Sequence, residues 1–134
     1  LELRSALHES RTELVLVVYA DSELCQAPSP DLLLQFAIEN QCETVLVDTF
    51  VKNGQSLFDH WSDDQIKAWV SKLHEHGIVS VLAGSLSQES IESLQDLNVD
   101  YVAVRGAVCD NGDLVPQRVK NLARLLKHDS LAVD

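Results

Sequence analysis

Methionine is absent from all 134 residues and the chain opens on Leu1, so we expect that a segment precedes it in the intact protein. Cysteine is sparse. Cys25, Cys42 and Cys109 are odd in number and far apart, without the close pairs of a zinc site or the even count of a disulfide framework, and reduced thiols are expected. No apolar run approaches the ~18 residues of a membrane span and no terminal stretch has the form of a signal peptide, which predicts a soluble, cytoplasmic protein. Positive charge is scarce too: 10 Lys and Arg face 21 Asp and Glu, and the net charge of −11 is spread along the chain. Nonspecific attraction to nucleic acid or anionic lipid is thereby disfavoured, and any bound phosphate must be held locally. There is no Walker loop, no Gly-x-Gly-x-x-Gly pattern and no metal-type Cys/His spacing, so neither a cofactor nor a metal is expected. His74 and His76 stand two apart on a predicted helix and therefore point to different faces.

What is present, at 46% hydrophobic residues, suffices for one core: a single domain or one piece of a larger one. Apolar β-branched strands alternate with amphipathic helices four times, an order that implies parallel pairing. Glu2 to about Ser10 reads as the end of a helix. Glu13–Tyr19 reads as a strand hydrophobic on both faces, and a loop over Ala20–Ser29 follows. Ser29-Pro30-Asp31 supplies an N-cap, a proline at the first helical position and an early acid, predicting a helix to about Asn40. The second strand, Thr44–Asp48, leads into a long loop through Asn53-Gly54 and Leu57-Phe58-Asp59. Ser62-Asp63-Asp64-Gln65 fits a capping box for a helix ending near His76, with Gly77 just beyond it. A third strand, Ile78–Ala83, precedes a short helix capped by Ser87. A fourth, Tyr101–Val104, runs through a polar loop, Asp110–Asp113, to a helix from about Pro116 to Lys127. The tail beyond His128 is expected to fray.

Three strand ends carry candidate chemistry. Val45-Leu46-Val47-Asp48 ends in a carboxylate, and Lys52 follows four residues later. The third strand runs into Gly84-Ser85, and the fourth into Arg105-Gly106-Ala107. Glycine permits close backbone approach, serine adds a donor, and arginine can form a bidentate pair with phosphate. Asp21, at the mouth of the first strand beside Tyr19, is a third catalytic candidate after Asp48 and Lys52. Cys109 reads as a core thiol, and His60 and Trp61 as packing residues of the long loop.

Four strand–helix units are half of an eightfold barrel, which typically needs about 250 residues. An open doubly wound sheet would also fit this length. The barrel is favoured by the glycine-bearing turns after the last two strands, where barrel enzymes commonly hold phosphate. The expected fold is thus α/β: the C-terminal half of a TIM (β/α)8 barrel, with residues 1–134 as a single half-barrel domain.

The segment Leu46-Val47-Asp48-Thr49-Phe50-Val51-Lys52-Asn53-Gly54-Gln55-Ser56-Leu57-Phe58-Asp59, with Leu82-Ala83-Gly84-Ser85 and Val104-Arg105-Gly106-Ala107-Val108-Cys109, resembles the C-terminal half of the (5-formylfuran-3-yl)methyl phosphate synthases. The resemblance implies a TIM barrel acting as a carbon–oxygen lyase, which condenses two glyceraldehyde 3-phosphate molecules in methanofuran-type cofactor biosynthesis. It implies that Asp48 and Lys52 match the family's acid and lysine after strand six. By the same resemblance, Gly84, Ser85, Arg105, Gly106 and Ala107 match its phosphate-side turns. The family's Schiff-base lysine lies in the N-terminal half, so this chain alone is expected to be inactive. Two other readings stand beside it: a phosphate-binding half-barrel without activity, and another phosphosugar aldolase or isomerase. An isolated half-barrel would leave strand edges unpaired, so its expected partners are a phosphosugar and either an N-terminal half or a second copy of the chain in a homo-oligomer.

Overall fold

A computed structural model describes residues 12–127. The predicted helix over Glu2–Ser10 and the tail beyond His128 lie outside the described residues. Strands β1 (Val15–Tyr19), β2 (Thr44–Asp48), β3 (Val79–Leu82) and β4 (Tyr101–Val102) form one sheet. Every neighbour is parallel, and the spatial order is the order of the sequence. That order lacks the reversal from which a doubly wound sheet is built.

Among the described residues the six α-helices are α1 (Ser22–Cys25), α2 (Pro30–Glu39), α3 (Leu57–His60), α4 (Asp63–Glu75), α5 (Gln88–Leu94) and α6 (Pro116–Lys127). α2 begins where the Ser29 hydroxyl accepts the Leu32 N–H and Pro30 fills the first position. α4 begins with a reciprocal box: the Gln65 N–H donates to Ser62 Oγ, and Gln65 Oε1 accepts the Ser62 N–H. It ends where Gly77 takes a φ of +67° and the N–H groups of Gly77 and Ile78 close onto the carbonyls of His74 and Leu73. Ile66, Trp69, Val70 and Leu73 recur at helical spacing on its buried face, and Trp69 meets Trp61 edge-on with ring centroids 5.1 Å apart.

Three predicted loops contain structure. α1 forms within Ala20–Ser29. α3 forms within the long loop, nucleated by Asp59, which accepts the Ser56 N–H at 2.7 Å. The polar stretch Asp110–Asp113 is a hairpin: β5 (Cys109–Asp110) and β6 (Asp113–Leu114) pair antiparallel around Asn111-Gly112, both at positive φ. β4 is shorter than predicted, stopping at Val102, although the Ala103 N–H still reaches the Leu82 carbonyl at 2.8 Å.

The register separates the two faces of the sheet. Val18, Val47, Leu82 and Val102 align across the four strands and pack with Leu34, Ala37, Val70 and Ile91 of the helices. One residue earlier, Val17, Leu46, Val81 and Tyr101 align on the opposite face, outside that core. Val15, Val17 and Tyr101 are exposed there, at 48%, 38% and 64%. Among the described residues the helices thus cover one face only.

At the amino ends of the strands, Asp100 Oδ2 accepts from the Ser80 N–H (2.7 Å), the Ser80 hydroxyl (2.7 Å) and His74 Nε2 (2.8 Å). The Ser80 hydroxyl also lies 3.4 Å from His74 Nε2, but its proton goes to the nearer Asp100 carboxylate at 2.7 Å, so the cluster is not ordered as a nucleophile–base–orienter relay. Sequence reasoning missed it. Burial pushes the Asp100 carboxyl up, but the Ser80 N–H and hydroxyl and His74 together hold it below the ordinary aspartate value. A lowered folded-state pKa means that the contribution is complete above the unfolded value of about 3.9 and is lost as pH falls through the folded one. Asp100→Ala removes the carboxylate acceptor of the fully buried Ser80 hydroxyl and should cost about 1–2 kcal/mol at neutral pH. Its denaturant midpoint should fall less steeply with acid than that of the wild type; parallel acid limbs would disprove the linkage. No helix among the described residues is long and apolar enough to cross a membrane.

Candidate active site

Parallel strands end on the same edge of a sheet, so the segments after β2, β3 and β4 are neighbours by construction. Between them lies a cleft of about 680 Å³. Its lining includes Asp48, Lys52, Gly84, Ser85, Arg105, Gly106 and Ala107, gathering seven of the eight residues singled out in the sequence. That volume lies within the range of small-molecule sites. The eighth, Asp21, lies outside the cleft lining.

Asp48 follows Leu46 by two residues and so stands on the open face of the sheet. Its Oδ1 accepts the Thr49 N–H at 2.7 Å and lies 3.5 Å from Lys52 Nζ. Nζ also donates to the Thr49 carbonyl and, at 3.3 Å, to the Thr49 hydroxyl. The lysine side chain is 54% exposed and the aspartate 33%, so the pair is open to a ligand while its members orient each other.

Gly84 and Gly106 differ in kind. Gly84 has a φ of +105°, and a Cβ there would lie 3.0 Å from Thr49 Cγ2, 3.2 Å from Thr49 N and 3.4 Å from Leu57 Cβ. Its carbonyl accepts the Leu57 N–H at 2.9 Å, which fastens α3 to the end of β3. Ser85 continues at a φ of +51°, an uncommon conformation for a residue with a side chain, and is exposed on the cleft. At Gly106 a Cβ would meet nothing within 4 Å, so the space belongs to the cleft. The Arg105 side chain is exposed and forms no hydrogen bond or ion pair among the described residues. Arg118, by contrast, is engaged by the hairpin, donating to the Cys109 carbonyl.

Asp21 is 3% exposed. Its Oδ1 accepts the Phe50 N–H and its Oδ2 the Val51 N–H, each at 2.8 Å. Burial pushes its carboxyl up, yet these two N–H groups, its own N–H and the nearby His60 bring it below the ordinary aspartate value. Beside it the Tyr19 and Phe50 rings meet edge-on at 5.3 Å. No group of three or more His, Cys, Asp or Glu side chains is arranged to hold a metal among the described residues.

The 4-HFC-P synthase family model matches residues 2–123. A (5-formylfuran-3-yl)methyl phosphate synthase of Methanopyrus kandleri is 40% identical over 102 residues, 76% of this chain and 43% of that protein. The synthase of the same name from Methanothermobacter thermautotrophicus is 32% identical over 126 residues, 93% of this chain and 53% of that protein. This chain thus spans about half the length of the curated relatives it matches. Among solved structures, phosphoribosyl anthranilate isomerase from Thermus thermophilus is similar, with a TM-score of 0.49 and 16% identity, over 92% of this chain and 66% of that one. By the extent of the family match, this chain belongs to the 4-HFC-P synthase family.

Proposed function

We propose that this chain supplies the phosphate-side half of the active site of a synthase that condenses two molecules of glyceraldehyde 3-phosphate to (5-formylfuran-3-yl)methyl phosphate. The observation that carries the reading is the meeting of the Asp48–Lys52 pair with the Gly84–Ser85 and Arg105–Ala107 turns around one cleft, in a chain of this family.

Comparing the atoms of two triose phosphates with those of the furan shows that one phosphate and two waters must leave. The work is therefore carbon–carbon bond formation followed by carbon–oxygen cleavage, which agrees with a lyase. Asp48 takes a proton beside the carbonyl of one triose. The Lys52 ammonium, 3.5 Å from that carboxylate, faces the oxygen on which negative charge gathers. The unpartnered Arg105 guanidinium and the exposed Ser85 turn bind a phosphate group. The step that needs an imine falls to a lysine of the family's N-terminal half.

The same reading gives the open face its cover. A parallel sheet is normally buried on both sides, and the row Val17–Leu46–Val81–Tyr101 is apolar. We assign that row to the interior-facing side of a (β/α)8 barrel whose remaining strands pair with the edges β1 and β4. They come from an N-terminal half or from a second copy.

The test is incubation of the full-length protein with glyceraldehyde 3-phosphate while following the ultraviolet absorbance of a conjugated furan aldehyde. Furan formation by the full-length protein and silence from residues 1–134 alone are the expected results. Absence of furan with consumption of another phosphosugar would replace this reaction with an aldolase or isomerase. Arg105→Ala should raise KM for the triose about tenfold, the loss of one charge-assisted phosphate contact, with little effect on melting temperature. An unchanged KM would remove Arg105 from the site.

A further inference from the structure

The eight candidate residues include one that lines no part of the cleft. Asp21 is buried, and each of its oxygens is occupied by a backbone N–H of the segment between Asp48 and Lys52. That segment has an unusual path. Four extended residues would carry Lys52 about 13 Å beyond the end of β2. Instead the consecutive N–H groups of Phe50 and Val51, which point to opposite sides in an extended chain, meet one carboxylate, and Lys52 Nζ turns back to the Thr49 carbonyl and to 3.5 Å from Asp48 Oδ1.

Three consecutive N–H groups, those of Thr49, Phe50 and Val51, face carboxylates rather than strand partners: the first meets Asp48, the next two Asp21. An ion pair as exposed as Asp48–Lys52 is too weak to bend the backbone by itself. Two charge-assisted bonds to a buried carboxylate are of the strong kind. The Ala20 N–H, bonded to the Asp48 carbonyl at 2.9 Å, ties the residue before Asp21 to the same strand end.

We propose that Asp21 is a positioning residue that acts through Lys52: by gripping the N–H groups of Phe50 and Val51 it folds the chain after β2 so that the lysine is returned to Asp48. This rests on the reading of Asp48 and Lys52 as the acid–amine pair of the reaction. Asp21 itself touches no substrate, because both of its oxygens are engaged and its side chain is buried beneath the loop. Its lowered carboxyl agrees with permanent service as an acceptor. The arrangement divides the work of three carboxylate and amine groups between two strand ends. The end of β1 shapes the loop, and the end of β2 carries the reacting groups.

The experiment uses the full-length protein in wild-type, Asp21→Asn, Lys52→Ala and doubly substituted forms. Two readouts are taken. The first is the rate at which trace acetic anhydride acetylates Lys52, measured by mass spectrometry against the exposed Lys67 in the same molecule. Asp21→Asn replaces one acceptor with a donor facing an N–H, and the Lys52 to Lys67 ratio should rise about tenfold as the lysine is released. The second is turnover. Asp21→Asn should lower kcat about tenfold in the wild-type background and add nothing in the Lys52→Ala background, the signature of a residue acting through its partner. A drop in melting temperature with the acetylation ratio unchanged would make Asp21 a stabilising cap only and overturn the proposal. Fully multiplicative losses in the double variant would do the same. If Asp21→Asn fails to fold, Asp21→Ser, which keeps one acceptor, should give an intermediate ratio. A wild-type protein that makes no furan would end the reading of the reaction, while the acetylation ratio would still decide the role of Asp21.

Discussion

Lys52→Ala in the full-length protein should reduce furan formation about 1000-fold while leaving the melting temperature almost unmoved. The first half of that expectation follows from where charge develops. Removing a proton beside a carbonyl places negative charge on oxygen, and a fixed ammonium that meets it is worth about two to four orders of magnitude in rate. The second half follows from exposure. The Lys52 side chain is 54% exposed, and its ion pair with Asp48 is of the surface kind, worth at most about 1 kcal/mol. Lys52→Arg, which keeps the charge but changes the shape of the donor, should recover part of the rate. A loss of activity that tracks a loss of fold would assign Lys52 to stability and leave Asp48 without its amine. Retention of activity in a well-folded Lys52→Ala protein would sink the acid–amine pair outright.

The second large effect is on the fold. Gly84→Ala should destabilise the protein by about 3 kcal/mol, read as a drop in the midpoint of chemical denaturation. Two costs combine. A φ of +105° is poorly tolerated by any residue with a Cβ, which accounts for about 1–3 kcal/mol. The new methyl would also press on Thr49, 3.0 Å from its Cγ2 and 3.2 Å from its backbone nitrogen, with Leu57 Cβ in contact at 3.4 Å, an overpacking cost of similar size. Neither neighbour can yield cheaply, because Thr49 is 1% exposed and Leu57 fully buried. Gly106→Ala supplies the control: nothing lies within 4 Å of its Cβ, so stability should be unchanged. Equal midpoints for the two variants would show that the end of β3 relaxes freely.

These two glycines also mark how far the sequence can be read. Both stand in turns after adjacent strands, and from the sequence alone they look alike. Only the fold shows that one is wedged between β2 and α3 while the other borders open space. Local signals are read well. Ser29-Pro30-Asp31 and the Ser62–Gln65 box start α2 and α4 where expected, because a cap is made by residues within one turn of each other. The gathering of Asp48, Lys52, Gly84 and Arg105 is legible for a different reason: alternating strands and helices imply parallel pairing, and parallel strands bring their carboxyl ends together. What escapes notice depends on partners distant in sequence. Asp21 meets Phe50 and Val51 across 29 and 30 residues, and His74 meets Asp100 across 26. The hairpin around Asn111-Gly112 is a different failure. That dipeptide is a strong turn signal, overlooked because the flanking strands, at two residues each, are too short to show alternation.

The sequential order β1-β2-β3-β4 bears on how the protein is made. Each strand pairs with the one synthesised just before it, so every new unit leaving the ribosome finds its neighbour already in place and closes a loop of one helix and two turns. Among the described strands, none waits for a later one to separate it from its predecessor. The Asp21 contact follows the same timetable, since the carboxylate emerges before the loop it will hold. Lys52 and the carboxylate that bends its loop thus both precede, in the order of synthesis, the two glycine-bearing turns that border the cleft.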